Sequence, residues 1–170
     1  MRGFTYTILG LGLLLFSCAN LKDKKEAEIT ETTHKVTTIN DSTVHWYGME
    51  EGISLAQKQN KLIFVDVYTD WCGWCKKMDA STFKDKEVIK ALNQDYIAVK
   101  FDGEEKDTVN FFGTDYKFVN NGRRGYHELA AVLLDGRLSY PSFVVLNNNG
   151  NREKKLIGFM NPEQFLTQLK

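Results

Sequence analysis

Short apolar runs separated by polar residues dominate the chain from about residue 43 onward. Runs of β-branched and aromatic residues that are almost continuously apolar are typical of buried strands in a sheet covered on both faces. Residues 147–151 form an Asn- and Gly-rich turn, after which a further strand returns as a hairpin. The pattern therefore predicts strands over residues 44–46, 62–68, 96–101, 142–146 and 154–157.

Helical spacing of apolar residues lies between these predicted strands. Asn161 precedes Pro162, with Gln164 three residues after Asn161, which indicates a capped helix at the end of the chain. Strands that alternate with helices and end in a hairpin and a helix predict an α/β fold with a mixed central sheet flanked by helices. The helices are predicted over residues 50–60, from 72 onward, and over 86–93, 124–134 and 162–170.

The N-terminus carries a pattern of a different kind. Arg2 is followed by an apolar run over residues 8–16, which is too short to cross a bilayer core of about 30 Å. This length is typical of a secretory signal peptide, predicted here over residues 1–17. The run ends in Leu15-Phe16-Ser17-Cys18, which resembles the bacterial lipobox. The resemblance implies that Cys18 carries lipid and anchors the protein in the bacterial cell envelope, facing the periplasm. An ordinary signal peptide with an incidental cysteine is the alternative.

The remaining chain divides into a tether and one domain. Residues 18–42 are polar and rich in Thr, Lys and Glu, which predicts a flexible tether. Residues 43–170 are of the right length for one domain. The chain carries 22 basic and 22 acidic residues, so nothing favours extensive binding to nucleic-acid phosphates. Three cysteines are too few for a disulfide-based scaffold.

Candidate chemistry lies in Cys72-Gly73-Trp74-Cys75, which follows a predicted buried strand and opens a helix. A helix N-terminus favours the thiolate of Cys72, the species that attacks disulfides. Cys75, one turn further, is expected to be more buried and to act as the resolving thiol. Gly73 leaves room for a partner chain, and Trp71 and Trp74 offer apolar contact surfaces. A zinc site or a purely structural disulfide is an alternative, but a zinc site usually needs four ligands.

The segment over residues 64–78 resembles the thioredoxin superfamily, and most closely the C-terminal thioredoxin-like domain of the thiol:disulfide interchange protein DsbD. The resemblance extends over about residues 46–170 and implies a thioredoxin fold. It implies that Asp66 assists proton transfer at Cys75 and that Lys100 pairs with Asp66. A half-buried, salt-bridged strand residue is the alternative for Asp66.

Two further segments carry the same resemblance. Tyr140-Pro141 matches the cis-proline loop, whose residue before proline offers its backbone to an extended substrate. Gly158 matches the glycine that borders the substrate groove, with a simple turn residue as the alternative. The chain departs from the family by an insertion over about residues 103–125, before the cis-proline strand. In it we expect residues 108–112 and 115–119 to form the two strands of a hairpin around Gly113-Thr114. We hypothesise that this insertion borders the groove and selects the partner; a surface loop without function is the alternative.

These expectations combine into a membrane-tethered thiol:disulfide oxidoreductase that acts without a cofactor. Its expected partners are disulfide-containing exported proteins as substrates and a membrane thiol reductase as electron donor, and it is expected to be a monomer. The alternatives are a non-catalytic binding lipoprotein with a thioredoxin fold and, within the same class, a disulfide oxidase or isomerase. The sequence leaves the direction of electron flow open.

Overall fold

The computed structural model describes residues 41–122 and 124–170. Strands and helices alternate along this part of the chain, and one 3₁₀ turn at Thr82–Lys84 follows the second helix. The helices are α1 (Met49–Gln59), α2 (Gly73–Ala80), α3 (Lys86–Asp95), α4 (Glu128–Leu133) and α5 (Pro162–Leu169). The strands are β1 (Trp46–Tyr47), β2 (Leu62–Tyr68), β3 (Tyr96–Asp102), β4 (Val109–Phe111), β5 (Thr114–Tyr116), β6 (Phe118–Val119), β7 (Tyr126–His127), β8 (Ser142–Leu146) and β9 (Arg152–Ile157).

Five strands form the central sheet in the order β1-β3-β2-β8-β9. β1, β3 and β2 run parallel, whereas β8 pairs antiparallel with β2, and β9 pairs antiparallel with β8. The predicted mixed sheet is therefore confirmed. β2 lies at its centre and is paired along most of its length on both sides, which explains its nearly continuous run of apolar residues.

Helices cover both faces of this sheet. Alternate residues of β2 point to opposite faces, so that Ile63, Val65 and Val67 pack with α1 and α4, whereas Phe64 packs with α2, α3 and α5. Asp66 shares the face of Phe64 by this alternation and is buried among the residues of that side. Met78 belongs to the second of these clusters, so α2 is packed against the sheet directly after β2.

The region over residues 103–127 differs most from the sequence-based expectation. The predicted hairpin is present as β4 and β5, but its turn is at Phe112-Gly113, both with positive φ, rather than at Gly113-Thr114. The predicted second strand over 115–119 is divided, because β6 pairs with β7 instead of continuing the first hairpin. The helix predicted over 124–134 is wrong in its first turn. Tyr126 and His127 pair with β6, and the His127 ring caps α4 by accepting a hydrogen bond from the Leu129 N–H.

Two smaller differences concern the N-terminal part. The predicted first strand at 44–46 is displaced, because only Trp46 and Tyr47 pair with β3. The signal peptide, Cys18 and nearly all of the tether lie outside the described residues. Within residues 41–122 and 124–170, none of the helices has the combination of length and hydropathy that spanning a bilayer requires.

Candidate active site

Cys72 and Cys75 form a disulfide at the point where β2 passes into α2. Cys72 is the N-cap of α2: its N–H donates to the Thr69 carbonyl at 3.0 Å, and its Sγ accepts from the Cys75 N–H at 3.0 Å. The two cysteines are equally buried, each 4% exposed. The expectation that Cys75 is the more buried of the two is therefore wrong for this disulfide form, in which the bridge holds both residues in the first turn.

The start of α2 favours negative charge at Cys72. The unpaired N–H groups and the positive end of the helix dipole face that residue, and no acidic residue lies in the first turn of the helix. The Cys75 N–H that reaches the Cys72 sulfur is one of these unpaired donors. This arrangement stabilises a thiolate at Cys72 once the disulfide is reduced.

A partly buried charged cluster lies on the same face of the sheet as α2. Asp66 and Lys100 are directly paired in the register of β2 and β3, and Lys100 Nζ lies 3.4 Å from Asp66 Oδ2. The same Nζ lies closer to Asp79 of α2, at 2.6 Å from Oδ1 and 2.8 Å from Oδ2. Lys100 therefore stands between two carboxylates, and the sequence analysis named only one of them.

Burial governs the protonation of this cluster. Desolvation raises the pKa of Asp66 to about 7; the attraction of Lys100 opposes this rise, and the negative charge of Asp79 adds to it. Burial lowers the pKa of Lys100, but the carboxylates of Asp66 and Asp79 outweigh burial and raise it. Lys100 thus stays charged at neutral pH, while Asp66 changes protonation close to it. A carboxyl group in this condition can accept and release a proton under physiological conditions.

The aromatic rings around Lys100 complete its surroundings. Its ammonium lies 4.8 Å from the centre of the Tyr68 ring and 5.3 Å from that of Trp46.

The role of Asp79 was not predicted, because nothing in the sequence of a helix shows which residue of another element a given side chain faces. One signal was available: Asp79 lies one helical turn after Cys75, so the two residues share a face of α2.

Two buried polar atoms at this end of β2 have no hydrogen-bond partner among the described residues. They are Oδ1 of Asp66 and the hydroxyl Oγ1 of Thr69, which belongs to the loop that leads to Cys72. Unpartnered buried polar atoms are uncommon because each forfeits its interaction with water. Both atoms lie in residues close in the chain to the disulfide.

The Tyr140–Pro141 peptide bond is cis, and Pro141 directly precedes β8. The Gly158 N–H donates to the Pro141 carbonyl at 2.9 Å, so Gly158 braces the loop from the end of β9. Gly158 has a φ of +89°, which disfavours any other residue there. Neither backbone polar group of Tyr140 is hydrogen-bonded to another of the described residues.

Trp71 directly precedes Cys72 and Trp74 directly precedes Cys75, and the two residues are 51% and 56% exposed. Trp71 Nε1 donates to Glu104 at 2.9 Å, and its ring meets the Tyr140 ring edge-to-face with centroids 5.8 Å apart. Trp74 lies 5.3 Å from the Phe159 ring, next to Gly158. Gly73, between the cysteines, has open space where a side chain would begin.

The structure thus brings some of the predicted residues into direct contact. Asp66 and Lys100 form one pair, Trp71 and Tyr140 form another, and Gly158 is bonded to Pro141. Glu104 and Arg124, which the sequence analysis placed only within the insertion, both contact Trp71. These two contacts connect the insertion to the residue that precedes Cys72.

Comparisons with known proteins agree with this site. A family model described as Thioredox_DsbH, protein of unknown function, DUF255, matches residues 26–140. Human spermatogenesis-associated protein 20 is 37% identical over 68 residues, which is 39% of this chain and 9% of that protein. Thiol:disulfide interchange protein DsbD of Colwellia psychrerythraea is 29% identical over 125 residues, or 72% of this chain and 17% of that protein. The chain therefore corresponds to a small part of each of these relatives.

Solved structures agree on the fold. A putative disulphide-isomerase from Bacteroides thetaiotaomicron superposes with a TM-score of 0.56 and 24% identity, covering 77% of this chain and 92% of that one. This likeness, at low identity, concerns the fold alone. It confirms the expected thioredoxin fold.

Proposed function

Because the chain belongs to the Thioredox_DsbH family and holds a Cys72–Cys75 disulfide at a helix start, we propose that it is a thiol:disulfide oxidoreductase that reduces disulfides of exported proteins while tethered to a membrane. The observation that carries this proposal is the Cys72–Cys75 disulfide at the start of α2, with the buried carboxyl group of Asp66 on the same side of the sheet. The site combines a favoured thiolate with a nearby group that titrates at neutral pH.

The reaction begins with the reduced form of the site. The Cys72 thiolate attacks one sulfur of the partner's disulfide, which forms a Cys72–partner disulfide and breaks the partner's own bond. The second partner sulfur leaves as a thiolate and takes a proton from solvent. The helix dipole at Cys72 lowers the energy of the attacking thiolate.

The second step releases the partner. The Cys75 thiol gives its proton to the Asp66 carboxylate, and the Cys75 thiolate then attacks Cys72 Sγ. The Cys72–Cys75 bond forms, the mixed disulfide breaks, and the other partner sulfur leaves as a thiolate and takes a proton from solvent, to which Asp66 returns the proton that it accepted from Cys75. In total, the partner disulfide gains two electrons and two protons, and the cysteine pair becomes a disulfide. A dithiol membrane reductase is proposed to restore the reduced pair.

The surface around the disulfide fits an extended protein segment. The exposed rings of Trp71 and Trp74 supply apolar contact, and the unpaired backbone groups of Tyr140 can pair with a partner strand. Main-chain pairing of this kind tolerates many sequences. The open space beside Gly73 allows the partner's backbone to approach the sulfur atoms.

Insulin reduction by the purified full chain tests the activity. We expect turnover by the wild type with a thiol reductant, none by Cys72→Ser, and accumulation of partners linked to Cys72 in Cys75→Ala. A wild type that does not accelerate insulin reduction would favour the non-catalytic binding protein instead. Cys72→Ser retains the fold and surface, so it separates redox activity from binding.

The equilibrium with glutathione tests the direction of electron flow. We expect a reduction potential nearer to the roughly −270 mV of reducing thioredoxins than to the roughly −120 mV of strong oxidants. A potential close to the oxidants would assign the protein to disulfide formation.

Labelling with a fatty-acid analogue in a bacterial host tests the tether. We expect the wild type to carry the label and to associate with the membrane, and Cys18→Ala to lose both, because Cys18 is the proposed site of lipid attachment. Stable anchoring requires more than one acyl chain. Equal labelling of the two proteins would refute anchoring at Cys18.

A further inference from the structure

The loop between β6 and β7 carries Arg124 onto the outer face of Trp71. The guanidinium carbon of Arg124 lies 4.5 Å from the centre of the Trp71 ring. A guanidinium over an indole face is attracted by the negative charge of the ring face. Trp71 directly precedes Cys72, so this contact places a residue of the insertion beside the redox pair.

The base of this loop is firmly held. The His127 N–H donates to the Gly103 carbonyl at 2.8 Å, and its ring Nε2 lies 3.1 Å from the Asp107 carbonyl. Because Nδ1 of the same ring accepts from the Leu129 N–H, Nε2 carries the proton and donates to Asp107. His127 is fully buried. It therefore joins the beginning of the insertion to β7 and α4.

Packing inside the loop directs its path. A side chain at Gly125 would overlap the ring of Phe118 and come within 2.5 Å of the Val119 carbonyl. Glycine is therefore required at this position, where the end of the loop packs against β6. Lys106 lies 3.2 Å from the centre of the Phe118 ring on another side. The neighbour of Gly125 in the chain, Arg124, is exposed and extends towards Trp71.

Trp71 is thus held from three directions. Arg124 covers one face, Glu104 accepts its indole N–H at 2.9 Å, and the Tyr140 ring meets it edge-to-face. Two of these residues belong to the insertion, and the third precedes Pro141. Trp71 therefore contacts both the insertion and the loop that carries the cis proline.

We propose that Arg124 is a specificity-determining residue: it holds Trp71 against Tyr140 and so shapes the cleft that receives a protein disulfide. This inference rests on the proposed function. Arg124 acts through Trp71 and not on the sulfur atoms, so it is a positioning residue. It governs the affinity for protein partners, whereas the chemistry of the cysteine pair is independent of it.

Two disulfide substrates of different size separate the affinity for protein partners from the chemistry of the cysteine pair, and both are tested with the purified full chain. Insulin presents peptide backbone and side chains to the surface around the sulfur atoms, whereas the small, uncharged hydroxyethyl disulfide has neither. We expect Arg124→Ala to raise KM for insulin by about two- to fivefold, the range of an exposed cation–aromatic contact. The kcat for insulin and the rate with hydroxyethyl disulfide stay unchanged.

Two further variants serve as controls. Arg124→Lys keeps the charge but loses the planar stack, so its KM is expected between those of the wild type and Arg124→Ala. Lys90→Ala removes an exposed positive charge on α3 and is expected to leave both substrates unaffected. The indole N–H resonance of Trp71 should move in Arg124→Ala and not in Lys90→Ala.

An unchanged KM for insulin in Arg124→Ala, or an equal loss with both disulfides, would overturn the role of Arg124. If the wild type itself reduces neither disulfide, the proposed function fails and this inference fails with it. The two failures are distinguishable, because a failure of the proposed function is seen in the wild type itself, whereas a failure of the role of Arg124 is seen only when the wild type and Arg124→Ala are compared.

Discussion

The carboxyl group of Asp66 lies in surroundings that favour its protonated form near neutral pH. Burial is the largest cause, and Lys100 does not offset it because this lysine is shared with Asp79. Asp66 therefore combines a fixed position on the central strand with a pKa of about 7, which suits proton exchange with a thiol.

Replacing Asp66 with Asn removes the proposed proton acceptor of Cys75. We expect release of a partner from a preformed Cys72 mixed disulfide to slow by about a hundredfold, and to lose its change in rate around pH 7. The measurement is the release rate against pH by rapid quenching, with Asp95→Asn as an exposed control. A wild-type pH profile retained in Asp66→Asn would assign the proton to another group.

Asp79 controls the cluster from the helix side. In Asp79→Asn, one negative charge is lost and the Lys100 ammonium is freed to approach Asp66, and both changes lower the pKa of Asp66. Carbon-detected NMR titration of the Asp66 carboxyl group measures this. An unchanged or higher pKa in the variant would contradict the arrangement of the three side chains.

At the scale of the elements, α1 packs closely against β3 at Gly52. A Cβ at Gly52 would overlap Cγ2 of Val99, a fully buried and β-branched residue of β3 that cannot turn aside. Alanine favours a helix over glycine by about 1 kcal/mol, whereas overpacking a core costs about 1–3 kcal/mol. The two effects oppose each other, and the packing cost is the larger.

We therefore expect Gly52→Ala to lower the free energy of unfolding by up to about 2 kcal/mol. Urea unfolding with an unchanged m-value is the measurement. Gly48→Ser is the matched control, because a side chain at Gly48, the N-cap of α1, meets open space, and serine is a favourable N-cap. A more stable Gly52→Ala protein would mean that β3 yields to the added methyl group.

For the molecule as a whole, the buried carboxyl group makes stability depend on pH. The pKa of Asp66 is raised from 3.8 to about 7 in the folded state, so the folded protein binds more protons than the unfolded chain between these values. The contribution of Asp66 to the free energy of unfolding is fully present below the unfolded-state pKa of 3.8 and is lost as pH rises through the folded-state pKa of about 7. The shift of about three pKa units corresponds to a few kcal/mol.

Comparing the wild type with Asp66→Asn isolates this contribution. We expect the free energy of unfolding of Asp66→Asn to exceed that of the wild type progressively between about pH 4 and 7 and by a constant amount above that range. Urea unfolding of the disulfide form across this range is the measurement. A difference that does not vary with pH would show that Asp66 titrates alike in the folded and unfolded states.

Local patterns were sufficient for most of the fold. The bounds of β2 and β8 agree with the predicted strands, because a buried strand is apolar along its whole length. The capping box of Asn161 and Gln164 is present as predicted, since capping depends on residues three apart in the chain. Residues 103–127 were predicted poorly because their short strands pair through contacts that leave no local period.

The sequence by itself determined the alternation of strands and helices, the position of the cysteine pair at a helix start and the pairing of Asp66 with Lys100. Each follows from spacing along one strand or one helix, or from a resemblance carried by neighbouring residues. Only the tertiary structure decided that Asp79 shares Lys100 and that Glu104 and Arg124 hold Trp71. Lys100 and Asp79 are 21 positions apart in the chain. Glu104 is 33 positions from Trp71, and Arg124 is 53 positions from it. Such contacts arise when separate elements pack together, and the local pattern of apolar and polar residues does not encode them.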